Sequence, residues 1–147
     1  KQYREALRQL NVVLNDNENN LRQDIYSFSK LFNLIIHYEI GNYDLLDYLI
    51  KSTERYFNKR SKVLKYGYEF EASFISYFKK LSKALKQGSR TSQIFKDMKE
   101  ELAILLRKRN ERVALEYFDY LTWIDAQIES TPYGELKKLY YNSSLGK

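Results

Sequence analysis

The segment His37-Tyr38-Glu39-Ile40-Gly41-Asn42-Tyr43-Asp44-Leu45-Leu46 joins two amphipathic runs with nothing between them but Gly41 and Asn42. A helix ends where a residue takes the left-handed conformation, which Gly and Asn tolerate best. Asp44 then falls in the first turn of the next run, where the helix dipole favours an acid. The pattern predicts an antiparallel helical hairpin. The opening Tyr3-Arg4-Glu5-Ala6-Leu7 has the texture of another such second helix. Only 5 Gly and 1 Pro occur in 147 residues, which favours long helices over a strand-rich fold with many turns.

Periodicity predicts six helices and no strand. The first spans about Tyr3 to Leu14, with Leu7, Leu10 and Leu14 on one side. A polar break follows from Asn15 to Asn20. The second spans Leu21 to Ile40; its stripe of Ile25, Phe28, Phe32 and Ile35 is widened by Leu31, Leu34 and Ile36, which predicts contact on more than one side. The third runs from Tyr43 to Asn58, facing inward with Leu46, Leu49, Thr53 and Phe57. A basic connector, Lys59 to Gly67, leads to the fourth, Tyr68 to Lys86, closed by Gly88. The fifth is capped by Thr91 or Ser92, runs to Lys108 and turns inward Phe95, Met98, Leu102 and Leu105. Asn110 is a candidate left-handed residue before the sixth, Arg112 to Glu129, whose face is Ala114, Tyr117, Leu121, Ile124 and Ile128. Pro132 and Gly134 bar simple continuation. A short helix around Leu136 to Tyr141 and a frayed end complete the chain.

The length suits a single domain with a real core. The expected division is a helical domain over 1–131 and a tail over 132–147. Cys is absent, which excludes a disulfide framework, a Cys-based zinc site and a thiol nucleophile. No apolar run reaches the roughly 18 to 20 residues a membrane span requires. The chain opens on Lys1, inside what reads as a hairpin, so it is expected to be a fragment of a longer protein. A cytoplasmic setting fits the lack of Cys.

The Tyr3-to-Leu7 and Gly41-to-Leu46 segments resemble the turn and second helix of tetratricopeptide repeats. Their offset is longer than the roughly 34 residues of that repeat, the excess falling in the polar break and the second helix. Ala6 occupies the family's small-residue position in the first copy and Leu46 in the second. The chain as a whole resembles the C-terminal helical region of large, uncharacterised bacterial repeat proteins, through Leu34 to Asp44, Ser52-Thr53-Glu54-Arg55-Tyr56, and Glu116-Tyr117-Phe118-Asp119-Tyr120 with Trp123. The resemblance implies an all-α, right-handed solenoid of stacked hairpins that binds a peptide or protein segment on a groove. It implies no activity.

No phosphate-cradling, dinucleotide-binding or nucleophile-elbow motif occurs, so no cofactor and no enzyme activity are expected. His37 is the only histidine, and Glu39, two residues on, does not share its helix face. It reads as a hydrogen-bonded hairpin residue rather than a metal ligand. The carboxylate pairs Glu116/Asp119 and Asp125/Glu129 read as solvated faces with basic partners. Trp123 reads as packing against the fifth helix or the tail, with an exposed anchor as the functional alternative.

Two sets of residues are the candidate binding sites. Tyr26, Lys30, Asn33 and His37 lie off the apolar stripe of the second helix and are expected to face a partner segment on a concave surface. Lys79, Lys83 and Lys86 on the fourth helix, with Arg107, Lys108 and Arg109 after the fifth, are the candidate anion contacts. Lys59, Arg60, Lys62 and Lys65 crowd the connector. A net charge of +6 permits nucleic-acid binding as an alternative to a protein partner. A structural cap of a longer array is a further alternative.

Overall fold

A computed structural model describes residues 2–15, 23–63, 68–108, 118–130 and 132–145. Those residues form seven helices and no strand: α1 Gln2–Asn15, α2 Gln23–Glu39, α3 Tyr43–Val63, α4 Glu69–Gln87, α5 Ser92–Arg107, α6 Tyr120–Glu129 and α7 Tyr133–Leu145. Each helix packs on the next in the chain. The expected breaks at Asn15 to Asn20, Gly67 and Asn110, and the expected helical positions Ala114 and Tyr117, fall wholly or mostly outside the described residues.

α2 is the central element. Leu31, Leu34, Ile35 and Ile36 are all buried, and residues three and four apart cannot account for so wide an apolar surface on one face. The helix is therefore covered from several sides, as its sequence predicts. Its end is closed by Gly41 at φ +76°, which lets the Gly41 N–H reach the Tyr38 carbonyl and the Asn42 N–H reach the His37 carbonyl. Asn42 itself does not turn left-handed. Its carbonyl accepts from Leu46 N–H, the first bond of α3, and its side-chain amide meets His37 Nδ1 at 3.1 Å. Gly88, at φ +66°, closes α4 by the same pair of bonds, to Leu85 and Ala84.

Three helix boundaries differ from the sequence expectation. α3 does not stop at Asn58 but continues to Val63, so the first half of the expected basic connector is helical. Lysine and arginine are good helix formers, and Arg60 and Lys62 meet the negative end of the dipole in the last turn. α6 starts at Tyr120 because Asp119 caps it, its carboxylate accepting from the Thr122 N–H at 3.1 Å and the Thr122 hydroxyl at 2.8 Å. The core face of α6 consequently centres on Tyr120, Trp123 and Ile124, with Leu121 and Ile128 only partly buried. Beyond left-handed Ser130, Pro132 starts α7 by accepting from Glu135 and Leu136 N–H, and Gly134 lies within that helix. α7 runs to Leu145 and rests on α6 through buried Leu136. At the start of α5, the Thr91 side chain makes no cap bond, while its carbonyl accepts from the Phe95 N–H at 3.1 Å.

The core is aromatic. Phe74 and Phe78 stack at 4.7 Å on α4, and Phe78 lies parallel to Trp123 of α6 at 6.0 Å. Tyr38 of α2 meets Phe78, Phe95 of α5 and Trp123 edge-on at 5.8 to 6.1 Å. Offset and edge-to-face rings of this kind add specific geometry to plain burial. Phe78→Ala should lower the unfolding free energy by about 3–5 kcal/mol, the usual cost of deleting a buried ring. Urea denaturation measures it, and a loss near 1 kcal/mol would show that the cluster collapses around the cavity.

Candidate functional site

The four residues expected on an open groove of α2 do not form one. Asn33 is 7 % exposed and His37 6 %. Tyr26 is half-buried against Tyr56 of α3, ring centroids 5.4 Å apart, and Lys30 places its ammonium 5.5 Å from the centre of each of those rings. These polar positions face neighbouring helices because α2 is enclosed. Among the described residues the buried Asn33 Oδ1 has no hydrogen-bond partner.

His37 occupies the hairpin position the sequence assigns to it, bonded to Asn42. Burial holds its imidazole below the usual histidine range. Among the described residues no three of His, Asp and Glu gather as metal ligands would. The unfolded chain binds a proton at about pH 6.5 while the folded chain still resists it. Stability should therefore fall as pH drops below about 6.5. As the sole histidine, His37 is followed by NMR without ambiguity; its midpoint is expected below 6.5, and a midpoint at about 6.5 would place the ring in water.

The polar feature that sequence reasoning missed lies at the end of α2. Glu39 Oε1 accepts from Trp123 Nε1 at 2.7 Å and from Gln127 Nε2 at 2.6 Å, tying α2 to α6. Trp123 is 0 % exposed, so it is a core residue in contact with α5, as expected of its packing role. Tyr3 stands nearby; burial first, then the Glu39 and Tyr133 charges, push its phenol up to about 12. Burial does most to push Tyr38 up to about 12 as well. Removing the carboxylate leaves a buried indole N–H without an acceptor. Glu39→Ala should cost about 3 kcal/mol, and Glu39→Gln, which keeps an oxygen, about 1 kcal/mol. Equal losses in urea denaturation would show that charge rather than the acceptor matters.

The lysine stripe of α4 is largely committed to α3. Lys79 pairs with Glu54, and Lys86 pairs with Asp47, which also accepts from the Ser82 hydroxyl at 2.8 Å. Hydrogen bonds from Lys86 and Ser82 hold the Asp47 carboxyl below the usual range. Lys83 is exposed between them. Arg107 and Lys108 are exposed at the end of α5, and Arg109 lies outside the described residues. Asp125 pairs with Lys99 of α5 at 2.6 Å, which is the basic partner expected for that carboxylate; Glu116 lies outside the described residues.

Between α3 and α4 a surface cleft of about 260 Å³ opens. Among the described residues, Phe57, Tyr68 and Ile75 form its buried floor, and Glu54, Asn58, Ser61, Glu69 and Ala72 also line it. The extension of α3 beyond Asn58 supplies Ser61. An apolar floor with a few hydrogen-bonding groups at the rim is the usual make-up of a binding pocket. No protein-family model, curated protein or solved structure matches this chain. Among the described residues no helix is long and apolar enough to cross a membrane.

Proposed function

We propose that this chain is a non-enzymatic scaffold of tetratricopeptide-like antiparallel hairpins, stacked as a right-handed solenoid, that holds a protein segment in the cleft between α3 and α4. The observation that carries the reading is the cleft itself: an aromatic floor of Phe57 and Tyr68, in ring contact at 5.0 Å, beneath a rim of carboxylates and amide and hydroxyl groups. The Gly41-Asn42 turn and the packing of each helix on its successor support the array. Among the described residues, the charged members of the lining are Glu54 and Glu69. Glu54 already takes the Lys79 ammonium, so the rim favours a segment that inserts an apolar side chain and sets a basic residue or backbone N–H against Glu69.

A photo-reactive side chain at Ser61 tests this in whole cells. A discrete protein should crosslink there, and Ala72→Trp, which fills the cleft from an exposed lining position, should reduce the yield roughly tenfold or more without moving the melting temperature. Unchanged crosslinking in the Trp variant, or no crosslinked protein at all, overturns the reading.

A further inference from the structure

The continuation of α3 to Val63 has a consequence for its outer surface. Lys51, Arg55, Lys59 and Lys62 follow one another at steps of four, four and three residues, the spacing that places side chains on one helix face. All four are exposed. Tyr48, three residues before Lys51, extends the same stripe and is 62 % exposed. At a rise of about 1.5 Å per residue, the four cations span about 16 Å in a straight line.

The acids that would neutralise this face are turned elsewhere. Asp47 and Glu54 point to α4, where Lys86 and Lys79 take them. Asp47 still exerts some attraction on Lys51. Asp44, the remaining acid of α3, sits in the first turn, at the opposite end from Lys59 and Lys62. Among the described residues none of the four stripe cations takes part in an ion pair. Half-buried Arg60 is engaged elsewhere and is not part of the stripe.

We propose that this face of α3 binds a single-stranded nucleic acid, its cations tracking the phosphates and Tyr48 stacking on a base. The ligand class follows from the shape of the patch. A line of point charges beside an exposed aromatic ring matches a strand that carries one charge per nucleotide and a π-face on every base. Arg55 offers the forked donor geometry that suits phosphate oxygens. A membrane surface fits less well, because Leu46, Ile50 and Phe57 of α3 are buried in the core and Leu45, 40 % exposed, is too little aliphatic surface to insert into lipid. The site is separate from the cleft, and its test does not depend on a protein partner.

Fluorescence anisotropy with a labelled oligothymidylate of about 12 nucleotides, within the site sizes such proteins use, tests the proposal. Four phosphate contacts predict a slope of about −3 for log affinity against log salt. Replacing Lys51, Arg55, Lys59 and Lys62 together by Gln should weaken binding at least about tenfold and flatten that slope. A control removes the same charge from other exposed positions, Arg90, Lys96, Lys108 and Lys138, and should retain affinity within about threefold. Tyr48→Ala should weaken binding roughly fivefold with the slope unchanged. Circular dichroism confirms folding of each variant, and single substitutions along the stripe serve if the fourfold variant unfolds. Equal losses in the stripe and control variants, equal affinity for polyglutamate or anionic vesicles, or absence of binding in low salt each overturn the proposal.

Discussion

Trp123 is sealed in the interior and carries one N–H that water cannot reach. A buried donor without an acceptor is costly, and the acceptor here is a carboxylate from the far end of another helix, Glu39. That single bond fixes the indole plane. The fixed plane lies near-parallel to Phe78 and near-perpendicular to Tyr38 and Phe95, so α2, α4, α5 and α6 meet around a directional contact rather than a pool of interchangeable methyl groups. Tyr3 of α1 and Tyr133 of α7 come close to the same end of α2, so the outermost helices are referenced to it too. The Gly41 turn follows two residues after Glu39 and sets where α3 departs.

α3 divides its charge between two sides. On the side toward α4 its acids are answered by lysines, and beside them an aromatic-floored cleft opens. On the outer side its cations stand in water. Exposed ion pairs such as these contribute little to stability, typically about 0–1 kcal/mol. Their main effect is to decide which charges remain available at the surface. The formal excess of +6 is therefore less informative than its location, because two of the three α4 lysines that look available in the sequence, Lys79 and Lys86, are already matched.

Where apolar periodicity ran unbroken, the sequence was legible. Phe70, Phe74, Phe78 and Leu81 mark α4 unambiguously, and Gly88 marks its end. Helix extent is not legible where a helix is held by something other than an apolar stripe. Lys59 to Val63 has almost no apolar period, and propensity with the dipole carries the helix through it. At Asp119 the converse holds: acidic and aromatic residues carry a helical pattern across a helix start, and the Asp119-to-Thr122 spacing is that of a cap. Polarity also misled on α2: Asn33 and His37 are polar but enclosed, because neighbours on every side, not residue type, decide exposure. The Glu39–Trp123 bond spans 84 residues and leaves no local trace in the chain.

Asp119 serves two helices at once. One carboxylate caps α6 through Thr122 and holds α7 through Lys137 at 2.6 Å. Burial opposes its charge, but the Lys137 and Thr122 hydrogen bonds outweigh burial and keep the carboxyl below the ordinary aspartate range. Its contribution is complete above the unfolded value and disappears as acidity rises through the lower, folded one. One proton thus acts as a shared latch: its arrival loosens the beginning of one helix and the mooring of the next in the same event.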